Sequence, residues 1–135
     1  FLQATLTNAN DDSDIHTTNR CRTTAGAVVQ SLHKLKDTNN EEGAFFIFSD
    51  INIRIEGTFK LKFTLFQIVG LDVKCVCAIL SNPFTVYPSK FFPGMSESTL
   101  LTRLFSDQGV RIRIRKEARS IHSSRLEEKE DLACC

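Results

Sequence analysis

From Ile51 to Leu65 apolar and polar residues alternate with a period of two, and no other feature of the sequence constrains the fold as strongly. Ile51, Ile53 and Ile55 alternate with Asn52, Arg54 and Glu56. After Gly57 the pattern resumes, with Phe59, Leu61, Phe63 and Leu65 alternating with Lys60, Lys62 and Thr64. Successive side chains of a strand point to opposite faces, so this spacing predicts two strands, each with one dry and one wet face. Gly57 and Thr58 supply the bend between them.

The flanking segments extend the pattern. Residues 44–48, AFFIF, form a continuous apolar run of strand length, expected to be buried on both faces. VKCVCAIL (73–80) and FTVY (84–87) are rich in β-branched and aromatic residues, with a turn expected at Gly70 to Asp72 and a break at Asn82-Pro83. Pro88 and Pro93-Gly94 stop the sheet pattern. VRIRIR (110–115) is expected as a last strand, with Val110, Ile112 and Ile114 inward and three arginines outward. Short strands separated by turn signals imply an all-β chain folded as an antiparallel sandwich.

Helix enters in one place. STLLTRLF (98–105) can be capped by Ser98, shows Leu100, Leu101, Leu104 and Phe105 on one face, and can end at Gly109. AVVQSLHKL (27–35) has helical spacing but β-branched Val28 and Val29, so propensity leaves helix and strand both open. NANDDSD (8–14) and DTNNEEG (37–43) read as exposed loops. The tail from Arg119 is charged with no sustained apolar face, which places a domain at 1–119 and a disordered tail at 120–135.

Composition narrows the class. Formal net charge is +1, so any basic partner site must be local. Eleven Phe against one Tyr and no Trp point to aromatic residues used for core volume. No apolar run reaches the length of a helical membrane span, and the first residues lack the pattern of a signal peptide. The chain opens at Phe1 inside a strand-like stretch, which reads as a fragment whose first strand or strands are missing. Five cysteines, Cys21, Cys75, Cys77, Cys134 and Cys135, form no disulfide framework and suit a reducing compartment. Cys75 and Cys77 are expected on one side of a strand as buried thiols.

No catalytic constellation is present. His16, His33 and His122 are tied by no pattern to a Ser or Cys nucleophile, and no Gly-rich phosphate loop exists. The acidic loops read as solvated, and the DDSD cluster lacks the oxygen spacing of a calcium loop. No metal ligands, cofactor or small-molecule substrate are therefore assigned. The terminal Cys134-Cys135 pair invites a lipidation reading, but the phosphate-binding loops of small GTPases are absent. The remaining candidates are basic. Arg111, Arg113 and Arg115 share one side of the expected last strand, with Lys116 and Arg119 just beyond. Such a row can meet DNA phosphates, or can be the solvated face of an edge strand. Lys60 with Lys62, and Arg20 with Arg22, are smaller versions of the same pattern.

Read in order, four segments resemble the velvet family of fungal developmental regulators: residues 23–37, 43–70, 82–99 and 107–119. FPGMSEST and DQGVRIRIRKE are the most specific. The resemblance is nearest to the spore-viability branch. It implies an immunoglobulin-like sandwich of the Rel/NF-κB type with one or two short helices. It also implies a nuclear protein, with shuttling to the cytoplasm left open. The implied activity is control of sporulation and secondary metabolism through DNA binding and homo- or heterodimers with other velvet proteins. The family's basic, proline-rich DNA-contacting segment has no match here, so none of its contacts is carried over. That leaves a heterodimerisation module with little DNA contact of its own as the alternative. Ser49 stands where the family usually has Pro, Phe91 where it has Lys, and His33 where it has Tyr.

Overall fold

A computed structural model describes residues 1–116. The described residues divide into two compact units. One comprises Phe1–His33 and Ala44–Pro88; the other comprises Lys34–Gly43 and the described residues from Ser89 onward.

The first unit is built on an antiparallel sheet. Its central strands are β1 (Leu2–Asn8) and β9 (Gly57–Val69), flanked by β5 (Val29–Gln30) and by β10 (Asp72–Leu80), in the order β10-β9-β1-β5. The short strand β11 (Phe84–Val86) also pairs with β9. Register explains which side is dry: Leu2, Ala4 and Leu6 lie opposite Leu65, Phe63 and Leu61, so all six share one face. Ala4, Leu6 and Phe59 form the buried core of this unit. A second ladder, β4 (Thr24–Gly26) with β8 (Ile51–Ile53), belongs to the same unit, and the chain entering β8 packs on the dry face through Phe48, whose ring is 5.3 Å from Phe63. A two-residue hairpin, β2 (Thr17–Thr18) with β3 (Cys21–Arg22), completes it.

The segment Lys34–Gly43 of the second unit holds most of β6 (His33–Lys36) and the start of β7 (Glu42–Phe45), which pair across a turn organised by Asp37. The Asp37 carboxylate accepts the amides of Asn39 and Glu41 at 2.8 and 3.0 Å. Its helix, α1 (Leu100–Asp107), buries Phe105, and Leu35 is the buried residue of β6. Gln108 extends one side-chain amide to both the N–H and the C=O of Lys36, at 2.8 and 2.9 Å, replacing a strand neighbour there.

The alternation from Ile51 onward is borne out: Ile51, Ile53 and Ile55 are half-buried while Asn52, Arg54 and Glu56 are exposed. The open segment 27–35 resolves into strands β5 and β6. Other expectations need correction. AFFIF is a strand only at its start, and its residues are not fully buried, because the chain turns away to place Phe48 over the sheet. The helix cap is Thr99 rather than Ser98: its hydroxyl oxygen accepts the Thr102 amide at 3.2 Å. Leu100, first in the helix, points outward at 66% exposure.

Cys75 and Cys77 are exposed and face opposite sides. A β-bulge at Val76 sets Cys75 against Phe66 but Cys77 against Leu65, so one extra residue inverts the second cysteine. VRIRIR forms no ladder with any of the described residues. Its exposure still alternates, with Arg111 and Arg113 out and Ile112 and Ile114 half-buried, but alternation encodes faces and not a hydrogen-bonding neighbour.

Candidate nucleic-acid interface

A carboxylate already paired with a cation competes with phosphate for it, so counter-ions rank the candidates. Lys60 and Lys62 point from β9 to the wet face of the sheet. The loop after β1 folds over that face, held by backbone bonds from Asn8 to Ser13 (2.9 Å) and from Ile15 to Leu6 (2.8 Å). It delivers Asp12 to Lys60 at 2.9 Å and Asp14 to Lys62 at 2.6 Å. The DDSD loop, expected to be solvated only, therefore neutralises these lysines. Within the same loop Ser13 donates its hydroxyl and its amide to Asp11, which holds that carboxyl below its ordinary range. Arg103 in α1 is likewise paired, with Glu97.

The arginine row is different. Arg111 and Arg113 are exposed, and neither has an ion-pair partner among the described residues. Arg115 is half-buried. Its N–H donates to Ser98 Oγ at 2.7 Å, and its C=O accepts the Ser98 amide at 2.9 Å, so the row is anchored at one point by its backbone. Lys116 is exposed beside it. Arg119 lies outside the described residues, as do His122, Cys134 and Cys135. The structure thus keeps Arg111, Arg113 and Lys116 in solvent and leaves Lys60 and Lys62 neutralised.

A second set of unpaired cations lies in the first unit. Arg20 and Arg22 sit on the β2–β3 hairpin, exposed and without acidic partners among the described residues. Arg54, exposed at the end of β8, donates its backbone N–H to the C=O of Thr23 at 2.8 Å, which brings it beside that hairpin. Nothing in the sequence links Arg54 to Arg22, since only strand pairing makes them neighbours.

A family model described as velvet factor matches residues 3–119. The chain belongs to the velvet family. Among curated relatives, this velvet chain is 50% identical to a spore development regulator of Ajellomyces capsulatus, over 90% of the chain and 32% of the relative. It is 51% identical to a spore development regulator of Pyricularia oryzae, over 90% of the chain and 24% of the relative. It is 43% identical to a protein of Chaetomium globosum named as a component of the velvet complex, over 85% of the chain and 26% of the relative. The velvet chain thus spans about a third or less of the length of these relatives. Their names describe regulators and members of a complex, and the strand-rich fold agrees with the sandwich that the family resemblance implied.

Proposed function

We propose that this velvet chain is part of a nuclear regulator of spore development and secondary metabolism, one that contacts double-stranded DNA and associates with another velvet protein. The observation that carries the DNA reading is the division among its cations. Lysines on the sheet face are neutralised by Asp12 and Asp14, whereas Arg111 and Arg113 are left exposed without counter-ions among the described residues. Such arginines release condensed counter-ions on meeting phosphates, which gives affinity that salt erodes. The relatives' names as spore development regulators support the developmental role. The test is fluorescence anisotropy of the chain with promoter-length duplex DNA at about 50 and 200 mM salt, where phosphate contacts weaken steeply. Binding that falls with salt supports the reading; a folded sample that fails to bind at low salt overturns it.

A second reading, a velvet–velvet interaction module with little DNA contact, is favoured by β10. All nine of its residues are exposed, and Val73, Val76, Ile79 and Leu80 are large and apolar. A sheet edge of this kind offers backbone donors and acceptors together with apolar area. The Chaetomium globosum relative, named as a velvet complex component, supplies the class of partner. Sedimentation of the chain with and without a second velvet protein tests it. Association that Ile79→Lys abolishes supports β10 as the contact, and association unaffected by that change removes it.

A further inference from the structure

Thr23 is 1% exposed and ties together segments far apart in sequence. Its hydroxyl donates to the carbonyl oxygens of Ile15 and His16, its N–H donates to the His16 carbonyl at 3.1 Å, and its own C=O accepts the Arg54 amide at 2.8 Å. Arg22 precedes it in the chain. One buried threonine therefore fixes the backbones that carry His16, Arg22 and Arg54 in one neighbourhood.

The hairpin leading into this junction has an unusual turn. Thr18 pairs with Cys21, leaving Asn19 and Arg20 as a two-residue loop with φ of 52° and 67°. Two successive left-handed residues make the turn that favours Asn-Gly. Asn19 suits its position, but Arg20 occupies the glycine position, where a side chain costs about 1–2 kcal/mol. The turn gains no stability from an arginine there. What the residue supplies is a guanidinium at the hairpin tip.

At the base of the hairpin is an open cleft of about 290 Å³, lined by residues that include His16, Thr17, Arg22 and Thr24. It opens along β1 between two points where other segments meet that strand: Val28, whose C=O accepts the Ala4 amide, and Ile15, whose amide donates to Leu6. The hydroxyls of Thr17 and Thr24 have no hydrogen-bond partner among the described residues. No Asp or Glu is among the described residues that line the cleft, and Asp14, 3.8 Å from His16, is paired with Lys62 at 2.6 Å. The lining is rich in donors and poor in anions.

We infer that this hairpin and cleft form a phosphate-contacting site for the backbone of duplex DNA, separate from the arginine row. Arg20 and Arg22 are the principal contacts, and Thr17 and Thr24 supply hydroxyl donors. The inference rests on the DNA reading proposed above. These contacts position the backbone and read no bases, so they strengthen binding to any duplex sequence alike.

Arg20→Gly separates binding from folding. Glycine accepts φ of 67° without strain, so the variant melts at or above the temperature of the unmodified chain while losing a phosphate contact. Anisotropy titrations of the full chain, Arg20→Gly and Arg22→Gln with one labelled duplex, between about 50 and 200 mM salt, carry the test. Expected for each variant is a roughly three- to tenfold loss of affinity at low salt, with a salt slope shallower by about 0.9. Variants that bind as the unmodified chain does, with the same slope, overturn the site and leave the DNA reading standing. An unmodified chain that binds no duplex overturns the DNA reading and the site together.

Discussion

Ser98 and Arg115 are joined by two hydrogen bonds that run in opposite directions, Arg115 N–H to Ser98 Oγ at 2.7 Å and Ser98 N–H to Arg115 C=O at 2.9 Å. This clamp joins the segment before α1 to the end of the arginine row. It supplies backbone bonds for a stretch with strand-like alternation and no strand neighbour among the described residues. Sequence pattern alone makes Ser98 a helix cap, but its hydroxyl serves the arginine row while Thr99 caps the helix.

Ser98→Ala removes one of the two bonds. The expected cost is about 0.5–1.5 kcal/mol in urea unfolding. Hydrogen exchange at the Arg115 amide should accelerate while the amides of α1 are unchanged. Equal protection of Arg115 in both proteins would show that the clamp is not what orders the row.

Thr23→Val keeps the shape of a fully buried side chain and deletes its hydroxyl. Two carbonyls, of Ile15 and His16, then lose a donor. The Ile15 carbonyl loses that donor while the His16 carbonyl keeps the Thr23 N–H, so a loss of about 0.5–1.5 kcal/mol is expected, the ordinary net worth of a part-buried hydrogen bond. Denaturant unfolding of the two proteins measures it, and an unchanged midpoint would mean that Thr23 does not hold the junction.

Glycines at positive φ divide by their surroundings. A Cβ on Gly26, at φ +89°, would lie 2.2 Å from the carbonyl oxygen of Asp50, so Gly26→Ala should destabilise by about 2–4 kcal/mol. Gly70, at φ +65° in the β9–β10 turn, has no atom within 4 Å of such a Cβ, so Gly70→Asn meets only the backbone strain of the left-handed region and should cost about 1 kcal/mol or less. Thermal melts of the two variants should differ accordingly.

The bulge at Val76 predicts reactivity on both sides of β10. In a Cys134→Ser, Cys135→Ser background, a maleimide should modify Cys75 and Cys77 fully in the folded chain, as read by mass spectrometry. Protection of either thiol until denaturant is added would contradict the edge position of the strand.

What the sequence disclosed follows from what alternation encodes. Ile51 to Leu65 showed which residues share a face because side chains in a strand alternate regardless of partner. Val110 to Arg115 carried the same signal, yet a ladder also needs a neighbouring strand, which no local pattern supplies. The Cys75–Cys77 expectation failed for a related reason: one bulged residue inverts parity, and VKCVC contains no Gly or Pro to announce it. The pairing of Asp12 with Lys60, across 48 residues, was equally hidden. That pairing decides which cations are free, so sequence could name the candidate cations but not separate the free from the paired.

The measurement that bears most directly on that separation is the slope of log affinity for duplex DNA against log salt, taken for the full chain, for Lys60→Ala with Lys62→Ala, and for Arg111→Ala with Arg113→Ala. Each phosphate contact contributes about 0.9 to the slope. The lysine variant is expected to keep the slope of the unmodified chain and the arginine variant to be shallower by about one to two. A slope that falls with the lysines and stays with the arginines would contradict the division of cations on which the DNA reading stands.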